Sequence, residues 1–442
     1  MQARQNKCGE ADDRRQEKDG GTIGMKKMEL LAPAGDLEKL KIAIDYGADA
    51  VYFGGEDFGL RAGAGNLTAE EIREGAAYAH ARGKKIYMTV NIFAHNDDIR
   101  RLPAFLESLK GLDIDAFLVS DPGVIAVFRE ILPDAVLHLS TQANTTNYMT
   151  AKFWHSMGIS RIVAAREMSF AELREFRENI PEDMEIEAFV HGAMCISYSG
   201  RCLMSNFMAA RDANRGACAH PCRWNYSLME EKRPGEYFPV EEDERGTYVF
   251  NSKDLCLIGY IPELAEAGVA SAKIEGRMKS IFYVATVVRV YRQAIDAYYA
   301  DPKGYRFRPE WLEELKKVSH RHFTTGFFLE KPDETAQNYD SGAYIREYDF
   351  IGIVREYDSR SGYALVEQRN NFRTGDEIEV FGPGDASFFI QRIEEMFDAE
   401  SGEPIQVAPH AQQQVRMKML HPAGSSWMLR RKQKFQKKCK SD

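Results

Sequence analysis

The chain has 442 residues, a formal net charge of −9 and an ordinary globular composition, 44% hydrophobic and 28% charged. That length fits two or three domains with a large core. No apolar run reaches the length of a membrane span, and the acidic balance argues against a surface committed throughout to nucleic acid.

Residues 1–24 are charged and aperiodic, with Gly20-Gly21 near their end, and read as a disordered extension. They hold no apolar signal-peptide core, so an exported, disulfide-bonded protein is not expected. From Met28 onward a short apolar run is followed by a helix-like stretch, again and again. Glu29–Pro33 precedes a helix over Leu37–Tyr46, and Ala50–Gly54 precedes one over Ala69–Arg82. Lys85–Asn91, Ala116–Asp121, Leu137–Gln142 and Arg161–Ala165 begin the next four units, with helices over Ile99–Leu109, Gly123–Ile131, Thr146–Met157 and Phe170–Arg177. A seventh run, Glu185–Val190, leads into a cysteine-rich stretch, and an eighth, Ala270–Glu275, precedes a helix over Ile281–Tyr299.

Eight strand-then-helix units, with strands apolar on both faces, predict an α/β protein built on a (β/α)8 TIM-like barrel over residues 25–300, with an insertion at 192–258. A doubly wound open sheet is the alternative, but no glycine-rich phosphate fingerprint follows the first strand. Residues 301–343 read as a helical connector with a helix near Trp311–Val318. His320 and His322 there read as packing or capping residues. Short alternating runs over 344–421 predict a small all-β barrel domain. Residues 422–442 read as a basic tail, its cations concentrated from Arg430, Arg431 and Lys432 to Lys438, either phosphate-binding or simply solvated.

In such a barrel the chemistry gathers where the strands end. The polar residues at those ends are Asn91, Asp121, Gln142, Arg166, Glu167, His191, Lys273, Glu275 and Arg277. Together they predict a polar pocket at the barrel mouth, although Asp121 before Pro122 reads equally well as a helix cap. Five of the seven cysteines, Cys195, Cys202, Cys218, Cys222 and Cys256, fall in or beside the insertion over that mouth. Soft thiolates gathered outside an export route point to zinc or an iron–sulfur cluster. The loose spacing suits a cluster better than a zinc ribbon, which has two tight knuckles. Buried inert thiols or a reactive cysteine are the alternatives. Arg211, Arg215, Arg223 and Trp224 in the same loop suit an anionic substrate, a stacked base, or charge compensation for a cluster. Residues 230–244 read as an exposed excursion.

Phe189-Val190-His191-Gly192-Ala193-Met194-Cys195, Ser199-Gly200-Arg201-Cys202 and Lys273-Ile274-Glu275-Gly276-Arg277 resemble peptidase family U32, the collagenase-like proteins. Leu30-Leu31-Ala32-Pro33-Ala34-Gly35 and Ser120-Asp121-Pro122-Gly123 fit the same family, and the likeness extends over about residues 28–421. Within the family the chain looks most like the branch that hydroxylates tRNA wobble uridine to 5-hydroxyuridine. Sister branches hydroxylate a ribosomal RNA cytidine or quinone precursors. The resemblance implies a cytoplasmic enzyme acting on tRNA, prephenate as co-substrate, an iron–sulfur cluster of 4Fe-4S type, and a homologous partner subunit as an option. It carries cluster ligation to Cys195, Cys202 and Cys218, with Cys222 or Cys256 as the fourth. It also suggests that Arg166, Lys273 and Arg277 hold carboxylates or a phosphate, that Glu275 or His191 handles protons, and that the base is flipped into the mouth. Proteolysis finds little in the residues: there is no His-Glu-x-x-His and no Gly-x-Ser-x-Gly motif. A non-catalytic RNA-binding protein with a structural cluster is a further alternative.

Overall fold

The structure is a computed structural model that describes residues 26–55, 57–59, 66–194, 202–211, 213, 217–221, 227–228, 238–239, 253–329 and 344–433. The expected N-terminal extension lies outside these residues.

The repeating units form as the periodicity predicts. They are β1 (Glu29–Pro33), α1 (Leu37–Asp45), β2 (Ala50–Gly54), α2 (Ala69–His80), β3 (Lys85–Val90), α3 (Asn96–Ser108), β4 (Ala116–Val119), α4 (Pro122–Ile131), β5 (Leu137–Leu139), α5 (Tyr148–Ser156), β6 (Ile159–Val163) and α6 (Phe170–Asn179). Short polar side chains start these helices by accepting the orphan backbone N–H groups of the first turn. Thr68 with Glu71 and Ser169 with Glu172 form reciprocal capping boxes, and Asp36, Asp121 and Asn147 cap α1, α4 and α5.

β7 (Glu185–Ala193) runs three residues past the expected end at Val190. Those residues, His191–Ala193, are paired by a later strand. After β7 come α7 (Met204–Ala209), the short antiparallel pair β8 (Ser227–Leu228) and β9 (Phe238–Pro239), and then β10 (Asp254–Cys256). β10 returns antiparallel onto the end of β7, with Cys256 opposite His191 and Asp254 opposite Ala193. A short helix not expected from the sequence, α8 (Ile261–Glu266), then supplies the seventh helix. β11 (Val269–Ile274) pairs in parallel with both β7 and β1 and closes the eight-stranded barrel. α9 (Ile281–Ala300) and α10 (Pro309–Lys316) follow, and β12 (Phe323–Thr324) pairs with β10. His320 is buried, stacked on Phe323 and bonded to the Val318 carbonyl, as the packing reading expects.

The C-terminal unit contains β13 (Tyr348–Asp358), β14 (Tyr363–Gln368), β15 (Phe372–Arg373), β16 (Glu377–Phe381), β17 (Phe388–Arg392), β18 (Met396–Asp398), β19 (Val407–Ala408), β20 (Gln414–Lys418) and β21 (Met428–Lys432). Seven of them make one antiparallel sheet in the order β17-β16-β21-β13-β14-β20-β18. The expected basic tail is corrected in part: its residues Met428–Lys432 form β21, a central strand. The run Arg430-Arg431-Lys432 reads as phosphate-binding or solvated charge, but Arg430 is fully buried because Glu314 of α10 and Glu379 of β16 neutralise it at 2.7 Å each. The sheet packs on the barrel through Phe282 stacked on Phe350 and through the Tyr46 hydroxyl, which donates to the Ser426 carbonyl at 2.9 Å. One apolar core runs from the barrel into Ile353, Phe381 and Met428 of this sheet.

Candidate active site at the barrel mouth

The barrel interior is polar along one line. Near its lower end Arg161 of β6 meets Glu29 of β1 at 2.6 Å, Glu185 of β7 at 2.6 Å and Glu187 of β7 at 3.4 Å. One layer higher, Lys273 of β11 donates to Glu187 at 2.6 Å, and its ammonium lies 4.3 Å from the Tyr52 ring centre. Glu187 is wholly buried and Lys273 is 3% exposed. Burial holds the Lys273 amine below its ordinary range, although Glu187 opposes the shift. Lys273 therefore sits under the mouth with its charge already paired, not at the surface of the pocket. Arg161, Glu187 and Tyr52 were not singled out from the sequence. The signal was present: charged residues within apolar strands that are buried on both faces.

At the mouth itself Arg277 is 4% exposed and donates to Thr89 Oγ1 at 3.3 Å and Asn66 Oδ1 at 3.0 Å. Two glycines make room for it. A Cβ at Gly54 would lie 2.1 Å from Arg277 Nη2, and one at Gly35 would lie 2.4 Å from the Arg277 carbonyl oxygen. Beside it Glu275 is half-buried, and the Tyr52 hydroxyl donates to its carboxylate at 3.3 Å. Gly192, at φ +112°, lets β7 pass close to this residue, since a Cβ there would meet the Glu275 carbonyl at 2.6 Å. Across the mouth Asn91 donates to Ser140 Oγ at 2.9 Å and to Gln142 Oε1 at 3.1 Å, joining the ends of β3 and β5. A guanidinium, a carboxylate and an amide pair thus lie at the ends of the barrel strands. Such a set suits a flat polar ring and an oxyanion held away from water.

The remaining strand-end residues have other surroundings. Asp121 caps α4, accepting from the Gly123 and Val124 amides at 2.8 and 3.1 Å. Arg166 lies over the Phe189 ring at 3.8 Å. Burial pushes the neighbouring Glu167 carboxyl up against the opposing pull of Arg166. His191 is 1% exposed inside an aromatic cage of Tyr283, Tyr291 and Phe323. Burial pulls its pKa down to about 3, so the ring is neutral.

Of the five cysteines, Cys195 and Cys222 lie outside the described residues, as do Arg215, Arg223 and Trp224. Cys202, at the start of α7, and Cys218 are half-buried. Each sulfur accepts a backbone N–H from two residues on, Met204 to Cys202 and His220 to Cys218, both at 3.4 Å. The Ala219 amide donates to Ser205 Oγ at 2.9 Å and ties the two segments together. Backbone N–H groups aimed at sulfur favour thiolates and tune a bound cluster, so these two residues fit such a group. Cys256 differs: it is 7% exposed, with the Tyr291 hydroxyl 4.0 Å from its sulfur. Burial pushes this thiol up to about 11, so only a bound metal would ionise it. Among the described residues no three His, Cys, Asp or Glu side chains converge as a metal site. No described helix is long and apolar enough to cross a membrane.

Comparison with known proteins adds to this geometry. The model of peptidase family U32 matches residues 35–338, and that of the peptidase family U32 C-terminal domain matches residues 346–430. Residues 346–430 thus correspond to a recognised module that reaches the first three residues of β21. A relative from Bacillus subtilis, tRNA hydroxylation protein P1, is 46% identical over 93% of this chain and 96% of its own. tRNA hydroxylation protein P of Escherichia coli is 38% identical over 87% of this chain and 92% of its own. A relative from Porphyromonas gingivalis described as a collagenase is 35% identical over 85% of this chain and 91% of its own.

Proposed function

The chain belongs to peptidase family U32, and we propose that within this family it is a tRNA hydroxylase that converts wobble uridine to 5-hydroxyuridine. The observation that carries this reading is the likeness, along nearly the whole of both chains, to the tRNA hydroxylation protein of Bacillus subtilis. The net change replaces the C5–H of uracil by C5–OH, a two-electron oxidation that adds one oxygen atom. A stacked base is out of reach of a buried mouth, so the nucleotide is flipped into it.

In this reading Asn91 and Gln142 face the ring's polar edge, and Arg277 holds an oxyanion, either a nucleotide phosphate or a carboxylate of a prephenate-like co-substrate. Glu275 is the proton-handling group. His191, neutral and caged, supports the wall behind it. An iron–sulfur cluster, in this reading of 4Fe-4S type, would be held by Cys195, Cys202, Cys218 and either Cys222 or Cys256. When bound, it would supply electron transfer beside the pocket. A cytoplasmic setting and a homologous partner subunit belong to the same proposal.

The collagenase name of one relative makes proteolysis the competing reading. A cysteine peptidase needs a thiol and a base open to an extended peptide. Cys256 and His191 stand opposite each other on β10 and β7, but both are sealed from solvent, the thiol is protonated and the imidazole is neutral.

The test is complementation in a host whose own tRNA hydroxylation genes are deleted, read by nucleoside mass spectrometry. Wild-type protein should restore 5-hydroxyuridine and Arg277→Ala should not. A wild-type protein that restores none, while cleaving denatured collagen, would return the peptidase reading to the front.

A further inference from the structure

A cavity of ≈ 530 Å³ opens between the barrel rim and the C-terminal sheet. Glu275, Met278 and Lys279 line it from the barrel, and Tyr344, Arg346 and Asn370 from the C-terminal side. It therefore begins at the proton-handling carboxylate and runs outward. Three features define its chemistry. Lys279 lies over the Tyr344 ring at 4.1 Å and the Tyr283 ring at 5.1 Å, and donates to the Ser319 carbonyl at 3.3 Å. Arg346 is exposed and reaches Ser319 Oγ at 3.4 Å. Neither cation has a carboxylate partner among the described residues. Arg369, in the same cavity, is by contrast paired with Glu38 and Glu367. Finally, Met278, a large apolar side chain, stands 55% exposed at the lip.

Cations that no described carboxylate neutralises, beside an exposed thioether, suit a strand that alternates phosphates with bases. We propose that this cavity is the RNA track: Lys279 and Arg346 hold two backbone phosphates flanking the reacting nucleotide, and Met278 contacts a neighbouring base. The inference rests on the tRNA reading above and gives the C-terminal sheet a role in it, as the second wall of the track. Positioning by phosphate contacts carries no sequence information, so the track sets where the strand lies and leaves choice of base to the mouth.

The experiment measures binding of the full chain to unmodified tRNA across a salt series. Each phosphate contact on a single strand contributes about 0.7 to the slope of log affinity against log salt. The double variant Lys279→Gln/Arg346→Gln should therefore lose about 1.4 from that slope and roughly 10-fold in affinity near physiological salt. Lys279→Arg/Arg346→Lys, which keeps both charges, should retain the wild-type slope. Lys303→Gln, an exposed cation beyond the far end of α9, serves as the control for charge loss elsewhere and should change neither quantity. Arg346→Gln alone, at an exposed position, repeats the test at half size if the double variant melts early. A glutamine double variant that keeps wild-type affinity and slope overturns this inference and leaves the proposed function standing. A wild type that binds no tRNA overturns the proposed function itself.

Discussion

Replacing Lys273 by methionine should destabilise the barrel far more than loss of one surface charge. The Lys273 ammonium is 2.6 Å from Glu187, and both side chains are essentially without solvent. Removing one partner of a buried pair costs about 3–5 kcal/mol, because the other charge is left in a medium that cannot solvate it. Arg161 also touches Glu187, at 3.4 Å, and places this case near the lower end, at about 3 kcal/mol. For a large domain that corresponds to a fall in Tm of roughly 6 °C or more. The charge-neutral double variant Glu187→Gln/Lys273→Met removes the stranded carboxylate and should recover about 1–3 kcal/mol relative to Lys273→Met alone. Urea unfolding of the wild type, both single variants and the double variant completes the cycle. Single variants as stable as wild type, or effects that simply add, would refute the claim that Glu187 and Lys273 are a coupled buried pair.

Other outcomes follow from the same geometry. Burial raises the Glu314 carboxyl but Arg430, Lys317 and Arg289 outweigh it, and its pKa lies below the usual 4.5. Its stabilising contribution is therefore complete above about pH 4.5 and lost as pH falls through the lower folded value, and Glu314→Gln should flatten that part of an acid unfolding curve. His191 titrates near 3 in the fold against an ordinary 6.5, so the unfolded chain gains a proton between those values that the folded chain refuses. Stability should be full above about pH 6.5 and decline towards pH 3, and His191→Phe should remove that slope. Gly192→Ala should cost activity before it costs the fold, because its Cβ would press on Glu275 from 2.6 Å; hydroxylation assayed well below the Tm checks it. Anaerobically purified Cys202→Ala and Cys218→Ala should lose iron and acid-labile sulfide together, whereas wild-type protein free of iron would sink the cluster.

The barrel was legible because its strands are apolar on both faces and its helices carry paired start signals such as Thr68 with Glu71. Strand-end position was informative for Arg277, Asn91 and Gln142, which the fold brings to one rim. It was uninformative for Asp121, whose carboxylate serves as a helix cap, since cap and ligand use the same residue type. Lys273 and His191 illustrate a different limit. Periodicity places a residue along a strand but not the partner waiting opposite, and that partner turns one into half of a buried pair and the other into a caged neutral ring. The burial of Arg430 is not legible because three consecutive cations look solvated or phosphate-binding, and its neutralising glutamates lie far away in sequence, at 314 and 379. α8 escaped notice because six residues carry too little periodicity to register.

The return of β10 onto the end of β7 has a consequence for how this enzyme class diversifies. β11 bonds directly to β7, so the eight-stranded cylinder is complete without residues 194–253. Those residues leave and rejoin at neighbouring points of one strand. A stretch anchored this way changes length at little thermodynamic penalty, since each doubling of a loop adds only about 0.6 kcal/mol of closure entropy. The cysteine-bearing segment is thus an insertion on which closure of the barrel does not depend. Swapping it between family members should therefore leave the barrel's stability intact.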